Sequence, residues 1–238
     1  METSPLAEVL LKVEQTAAAG VLPTVLFDLD STLFATAGRD IVILAEFAAS
    51  HGDHEFSRLA AQVGIEEIGW DVSVPLRQRG FADEAVLQEL KEYWKKCFFT
   101  DEYVIHDIPN PGSIGYTNAV HERGGMVYYL TGRHIEGMGV GTARALTKHG
   151  FPFWRGRTTL HLKPLFTMAD KPYKQMAIDD LNSLQGKVVA TFDNEPENCN
   201  LFQAAFPDAM NFWVDTEHSP QVEALHPALI RVEDFLNQ

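Results

Sequence analysis

The stretch Thr24-Val-Leu-Phe-Asp28-Leu-Asp30-Ser-Thr32 limits what this chain can be more than any other. Val25 to Phe27 form a short apolar run, and two carboxylates, Asp28 and Asp30, follow where it ends. A buried parallel strand presents its ligand site just beyond its carboxyl end. Two acids spaced by one residue at such an end can divide a reaction. One attacks or holds a cation while the other moves protons. A calcium loop is excluded, because an EF-hand needs Gly at its sixth position and Glu at its twelfth. Counted from Asp28, those positions hold Leu33 and Arg39.

The rest of the chain supports a strand in that place. Ser4-Pro5 followed by Leu6, Val9, Leu10 and Val13 predicts a capped amphipathic helix, ended by Gly20 and Pro23, with the first strand at 24–29. Between Ile41 and about Thr100 the apolar residues recur at helical spacing: Ile41, Leu44, Ala45 and Ala48; Phe56, Leu59, Ala60 and Val63; Val86, Leu87, Leu90, Tyr93 and Trp94. No strand is expected there. After Pro109, Pro111 and Gly112, helices near 113–123, 136–148, 172–184 and 196–205 alternate with strands near 126–130, 159–163, 188–192 and 210–214, the last of them weaker. This alternation predicts an α/β fold, a Rossmann-like parallel sheet with helices on both faces. A helical cap is inserted after the first strand. The expected division is 1–34 and 105–238 for the α/β core and 35–104 for the cap.

Right-handed crossovers bring the strand ends to one edge. Four ends or adjoining loops carry polar residues of one kind: Asp28, Asp30 and Thr32; Thr131-Gly132-Arg133; Lys163, Lys171 and Lys174; and Asp193-Asn194-Glu195, with Glu197 and Asn198 next. Phosphoryl transfer needs such a set: a nucleophile, a proton carrier, donors for the phosphoryl oxygens, a fixed cation and carboxylates for Mg²⁺.

With these four motifs in order, the chain resembles the haloacid dehalogenase-like hydrolases. The resemblance implies that Asp28 forms a phospho-aspartyl intermediate and that Asp30 is the general acid and base. It implies that Thr131 bonds the phosphoryl group, and that Asp28, Asp193 and the Asp30 carbonyl hold Mg²⁺. Lys174, near a helix start, and Lys171, one turn earlier, compete for the lysine, with Lys174 favoured. Thr32, Gly132, Arg133 and Lys171 are expected against the substrate. The fourth motif departs from the common form, with Asn194 directly after Asp193 and Glu197 four residues on. Both are expected beside the metal, Asn194 as a further ligand. The implied activity is a Mg²⁺-dependent phosphatase on a small phosphorylated metabolite. The alternatives are a phosphomutase or other phosphotransferase on the same residues, and a silent binding module. Asp30 argues against the dehalogenase branch.

Other patterns carry less. Gly137, Gly139 and Gly141 are not a dinucleotide fingerprint, since Thr142 stands at the last glycine position. His51 and His54 lack companions at zinc spacing. His134 is the histidine nearest the expected edge. Arg77 and Arg79 either form a solvated charge pair or reach a second anionic group, and Trp70 and Trp94 are expected in the core. The net charge of −14 disfavours nucleic acid and anionic membrane as partners. Two cysteines, Cys97 and Cys199, are too few for a disulfide framework and fit a reducing cytoplasm. Glu2, Glu8, Lys12 and Glu14 interrupt any signal-peptide core. No apolar run reaches the ~20 residues that span a bilayer.

Overall fold

The computed structural model describes residues 4–183, 186–220 and 223–236; Glu2 and the expected helix end at 184 lie outside them. The first helix, α1 (Pro5–Ala18), is capped by the Ser4 hydroxyl, which accepts the Ala7 N–H at 3.2 Å. It feeds β1 (Pro23–Phe27), all five residues of which are buried. β1 is central in a six-stranded sheet with β4 (Met126–His134), β5 (Thr158–Lys163), β6 (Lys187–Asp193), β7 (Met210–Val214) and β8 (Ile230–Val232). The order is β5-β4-β1-β6-β7-β8, and every pairing is parallel.

The continuous apolar runs follow from burial on both faces. Val25 and Phe27 of β1 and Val127 and Tyr129 of β4 point into one core. There they meet α1, α7 (Ser113–Glu122) and α8 (Ile135–His149) through Val9, Val13, Tyr116, Val120 and Leu146. Leu26, Tyr128 and Leu130 point into the other, against Tyr173, Ala177 and Ile178 of α9 (Asp170–Ser183) and Phe202 of α10 (Pro196–Ala205). The period-2 alternation of a strand thus splits each run between two layers.

A helical block separates β1 from β4. It comprises α2 (Ala37–His51), α3 (His54–Ala60), a 3-10 turn at Ile65–Glu67, α4 (Val74–Gln78), α5 (Glu84–Phe98) and α6 (Asp101–Val104). Its own apolar cluster is built from Leu44, Phe47, Phe56, Leu59, Leu76, Leu87 and Leu90. The block is entered and left through a short antiparallel ribbon, β2 (Phe34–Ala35) with β3 (Ile108–Pro109). That ribbon and β8 are the strands the sequence pattern does not announce. The ribbon has two residues a side, and β8 has three with Arg231 at its centre, too short for any periodicity.

The topology places the site. From β1 the chain crosses to β4 and β5 on one side and then to β6, β7 and β8 on the other. Such a reversal leaves a crevice at the carboxyl ends of the central strands. Phe27 is in register with Tyr129 of β4 and Phe192 of β6, and the Asp28 N–H donates to the Phe192 carbonyl at 2.9 Å. Asp28, Thr131 and Asp193 therefore leave the sheet at one edge.

Candidate active site

The turn after β1 is wound tightly. The Leu29 carbonyl accepts N–H donors from Thr32, Leu33 and Phe34 at 3.2, 3.0 and 2.9 Å. Ser31 takes a left-handed φ of 56°, a conformation that costs energy for a residue with a Cβ and is found disproportionately at functional sites. Asn110, beside the exit ribbon, donates to the Thr32 carbonyl at 2.7 Å and ties this turn to the far end of the insert.

Lys174, near the start of α9, is the centre of the site. Its buried ammonium donates to Asp28 Oδ1 at 3.0 Å and to Asp193 Oδ2 at 2.6 Å. Burial would lower its pKa, but the charges of Asp193 and Asp28 outweigh that and hold it protonated. Burial pushes the Asp28 carboxyl well above the usual carboxylate range, against the pull of Lys174 and with the help of Asp193. Asp193 is braced from behind: its Oδ1 accepts the Glu195 N–H at 2.9 Å and the Asn198 amide at 3.1 Å. Thr131 Oγ1 accepts the Arg133 N–H at 3.3 Å, which leaves its own proton to donate.

Asp30 lies in a second cluster. Arg133 Nη2 donates to its Oδ1 at 2.6 Å and Arg133 Nε to its Oδ2 at 3.1 Å. Arg39 Nη2 adds a bond at 3.0 Å. The same guanidiniums share Asp107: Arg39 Nε reaches Oδ1 at 2.9 Å, and Arg39 Nη2 and Arg133 Nη2 both reach Oδ2 at 2.6 Å. Burial would raise the Asp30 pKa, yet the Arg133 and Arg39 charges hold it well below the usual range. Arg39 starts the first helix of the insert, Asp107 immediately precedes the exit ribbon, and Arg133 belongs to β4. The cluster thus joins both connections of the insert to the core strand.

Asp28, Asp30, Thr131, Gly132, Arg133, Lys174 and Asn194 line one cavity of about 620 Å³. A Cβ on Gly132 would lie 3.0 Å from the Asp170 carboxylate, so a larger residue there would press that exposed side chain aside. Asp193 is fully buried beneath Lys174. The remaining expected residues are placed otherwise. Lys171 is half-exposed and pairs with Glu197 at 2.6 Å, so neither is brought to the site. Thr32 is buried and donates to Asn194 Oδ1 at 3.1 Å, while the Asn194 amide donates to the Glu217 carbonyl at 2.5 Å. The Arg133 guanidinium faces Asp30 and Asp107 instead of open space. His134 packs its ring 5.2 Å from Phe166 and is absent from the cavity wall. Arg79 is paired with Glu67 and Arg77 with Glu84.

Sequence reasoning missed Arg39 and Asp107, separated by 68 positions with no motif around either. It also read Trp70 and Trp94 as core: Trp70 stands open on the cavity wall, and Trp94, which packs against the insert's apolar cluster, also lines the cavity and donates its indole N–H to Asp40 at 2.5 Å. Burial pushes Asp40 up to about 7, against the Trp94 hydrogen bond and Arg39. A carboxyl whose pKa is raised on folding costs stability as it ionises, so this contribution falls as pH rises from about 4 to about 7. Asp40→Asn should remove that loss. The midpoint of urea unfolding, variant minus wild type, is expected to be more positive at pH 8 than at pH 5.

No family model matches the chain, and no curated protein matches it. Solved structures do. One from Clostridium difficile, designated a phosphatase, aligns with a TM-score of 0.54 at 13% identity over 85% of this chain and 89% of that one. Another, from Burkholderia xenovorans LB400 and designated a haloacid dehalogenase-like hydrolase, aligns with a TM-score of 0.54 at 15% identity, over 90% of this chain and 94% of that one. The chain has the haloacid dehalogenase-like fold. At these identities the likeness is one of fold, and the chemistry of this chain rests on its own side chains.

Among the described residues no cluster of three or more His, Cys, Asp and Glu side chains forms a metal cage. Magnesium does not require one. It takes one or two carboxylates and keeps several waters. Asp28 and Asp193 supply two buried carboxylates that converge on one ammonium, a hard oxygen donor set with charge left to neutralise. The residues present fit that ion.

Proposed function

We propose that the protein is a Mg²⁺-dependent phosphatase that hydrolyses a small phosphomonoester through a phosphorylated Asp28. The observation that carries this reading is the Asp28–Lys174–Asp193 triplet at the carboxyl edge of the sheet, with Thr131 beside it in the same cavity. Asp28, Asp193 and the backbone carbonyl of Asp30 would hold the ion. When bound, it neutralises phosphoryl charge and polarises the phosphorus. The helical insert is the cap, and its closure over the cavity would exclude water from the acyl phosphate.

An Asp28 carboxylate oxygen attacks phosphorus, and the bond to the ester oxygen breaks. The Lys174 ammonium and the Thr131 hydroxyl hold phosphoryl oxygens. Water then attacks the same phosphorus, its proton passes to Asp30, and inorganic phosphate leaves with Asp28 regenerated. As a clamped, ionised carboxylate, Asp30 is suited to accept that proton. The proton it takes up is the one the next turnover needs: once released from Arg39 or Arg133, protonated Asp30 gives it to the departing alkoxide as the ester bond breaks. No helix among the described residues is long and apolar enough to cross a membrane. Both thiols are buried and unbridged, which supports a reducing, cytoplasmic setting.

The test is hydrolysis of 4-nitrophenyl phosphate and acetyl phosphate with Mg²⁺ and with chelator, beside a haloacid control. Turnover is expected only with the ion. Mg²⁺ alone is also expected to raise the melting temperature of wild type but not of Asp193→Asn, since it binds the folded state. Inert esters, or release of halide instead, would refute the reading. Transfer to a sugar hydroxyl in place of water would mark a phosphomutase.

A further inference from the structure

We infer that the cavity above Asp28 selects phosphomonoesters whose alcohol carries a planar aromatic group. The inference rests on the phosphatase reading of the cavity floor and concerns its walls. Four rings form a continuous surface: Trp94 lies 4.4 Å from Phe98, Phe98 5.0 Å from Phe99, and Phe99 5.1 Å from Phe166, centroid to centroid. The first three come from the insert and the fourth from the loop after β5, so the wall spans both sides of the crevice. Trp70 completes the mouth. It is 57% exposed and Phe166 is 45% exposed, and Trp70 has no ring partner among the described residues. Large apolar side chains left open at a concave site mark a ligand surface more than a folding need.

The wall is held in place. The Trp94 indole is fixed by Asp40, and the Arg39 guanidinium sits 4.1 Å from the Phe98 ring centroid. A rigid wall binds a flat ring with little ordering cost. Several of the polar groups around it are committed to protein partners, although Lys95 and Glu217 also line the cavity with no ion pair among the described residues. Lys91 pairs with Asp71 at 2.7 Å, Lys163 with Asp170 at 2.7 Å, and Asn110 and Asn198 are used within the site as described. Along the ring wall a polyhydroxylated sugar would lose hydrogen bonds to water, whereas an aromatic ring would find stacking and edge contacts.

Ethyl, benzyl and 2-naphthylmethyl phosphate have leaving alcohols of similar basicity, so their kcat/KM values compare binding of the alcohol and not bond cleavage. Ribose 5-phosphate serves as the polar comparison. The naphthyl ester is expected to exceed ethyl phosphate by at least about tenfold, with benzyl between them. Trp70→Ala and Phe166→Ala remove exposed rings and leave the core intact. Each should lower kcat/KM for the naphthyl ester by about tenfold, mainly through KM, and change ethyl phosphate by less than about twofold. Hydrolysis of all four esters without aromatic preference, or with ribose 5-phosphate favoured, would overturn the inference and leave the phosphatase reading standing. Failure to hydrolyse any of them, or acetyl phosphate, would overturn both.

Discussion

Asp28→Asn is expected to lower phosphate-ester turnover by at least ~10⁴-fold, the scale seen when a nucleophile is removed from a covalent mechanism. The amide keeps the size of the carboxylate and still offers an oxygen to Lys174, but it is a poor nucleophile. The same change should not unfold the protein. Burial holds Asp28 above the usual carboxylate range, so the ionised side chain costs stability at neutral pH. Removing that charge leaves Lys174 paired with Asp193 at 2.6 Å. The melting temperature of Asp28→Asn, measured without metal at pH 7.5, should equal or exceed that of wild type. Lost activity with lost stability would indicate a structural role instead.

The largest stability effect is expected at Asp107, not at the reacting residues. Asp107 and Arg39 are both fully buried, and Asp107 also receives Arg133. Asp107→Ala would leave two buried guanidiniums sharing the single carboxylate of Asp30 as their ion-pair partner among the described residues. Breaking a buried pair in this way costs about 3–5 kcal/mol. Urea denaturation should show a loss of that order, whereas Glu8→Ala, which breaks the exposed Lys12–Glu8 pair, should cost less than about 1 kcal/mol. Equal, small effects at the two sites would show that the cluster does not hold the insert connections to the core.

The contrast between these positions explains what the sequence discloses. Asp28, Thr131 and Asp193 are legible because each ends a short apolar run, and a parallel sheet sends all such ends to one edge. Lys174 is legible only as one of two lysines. Its choice over Lys171 depends on which face of α9 meets the sheet, and the structure turns Lys174 inward beside Tyr173 and Ala177. Arg39 and Asp107 carry no pattern. Arg39 lies in the first turn of α2 and Asp107 directly precedes β3, and their pairing across the insert arises only in three dimensions. Trp94 shares its helical face with Val86, Leu87 and Leu90, so periodicity assigns it to the core, yet it sits where that face passes from the insert interior to the cavity wall. The fold is therefore readable from strand ends and helix faces, while the clamp on Asp30 and the aromatic wall depend on long-range packing.

The most direct test of the proposed chemistry is to mix the protein with Mg²⁺ and acetyl phosphate, quench in acid within the first turnovers, and map the phosphoryl group by peptide mass spectrometry. The expected result is a hydroxylamine-labile acyl phosphate on Asp28, absent from Asp28→Asn and longer-lived in Asp30→Asn, where the base toward water is gone. Ester hydrolysis with no phosphoryl group on Asp28 at any quench time, or with undiminished turnover in Asp28→Asn, would contradict it.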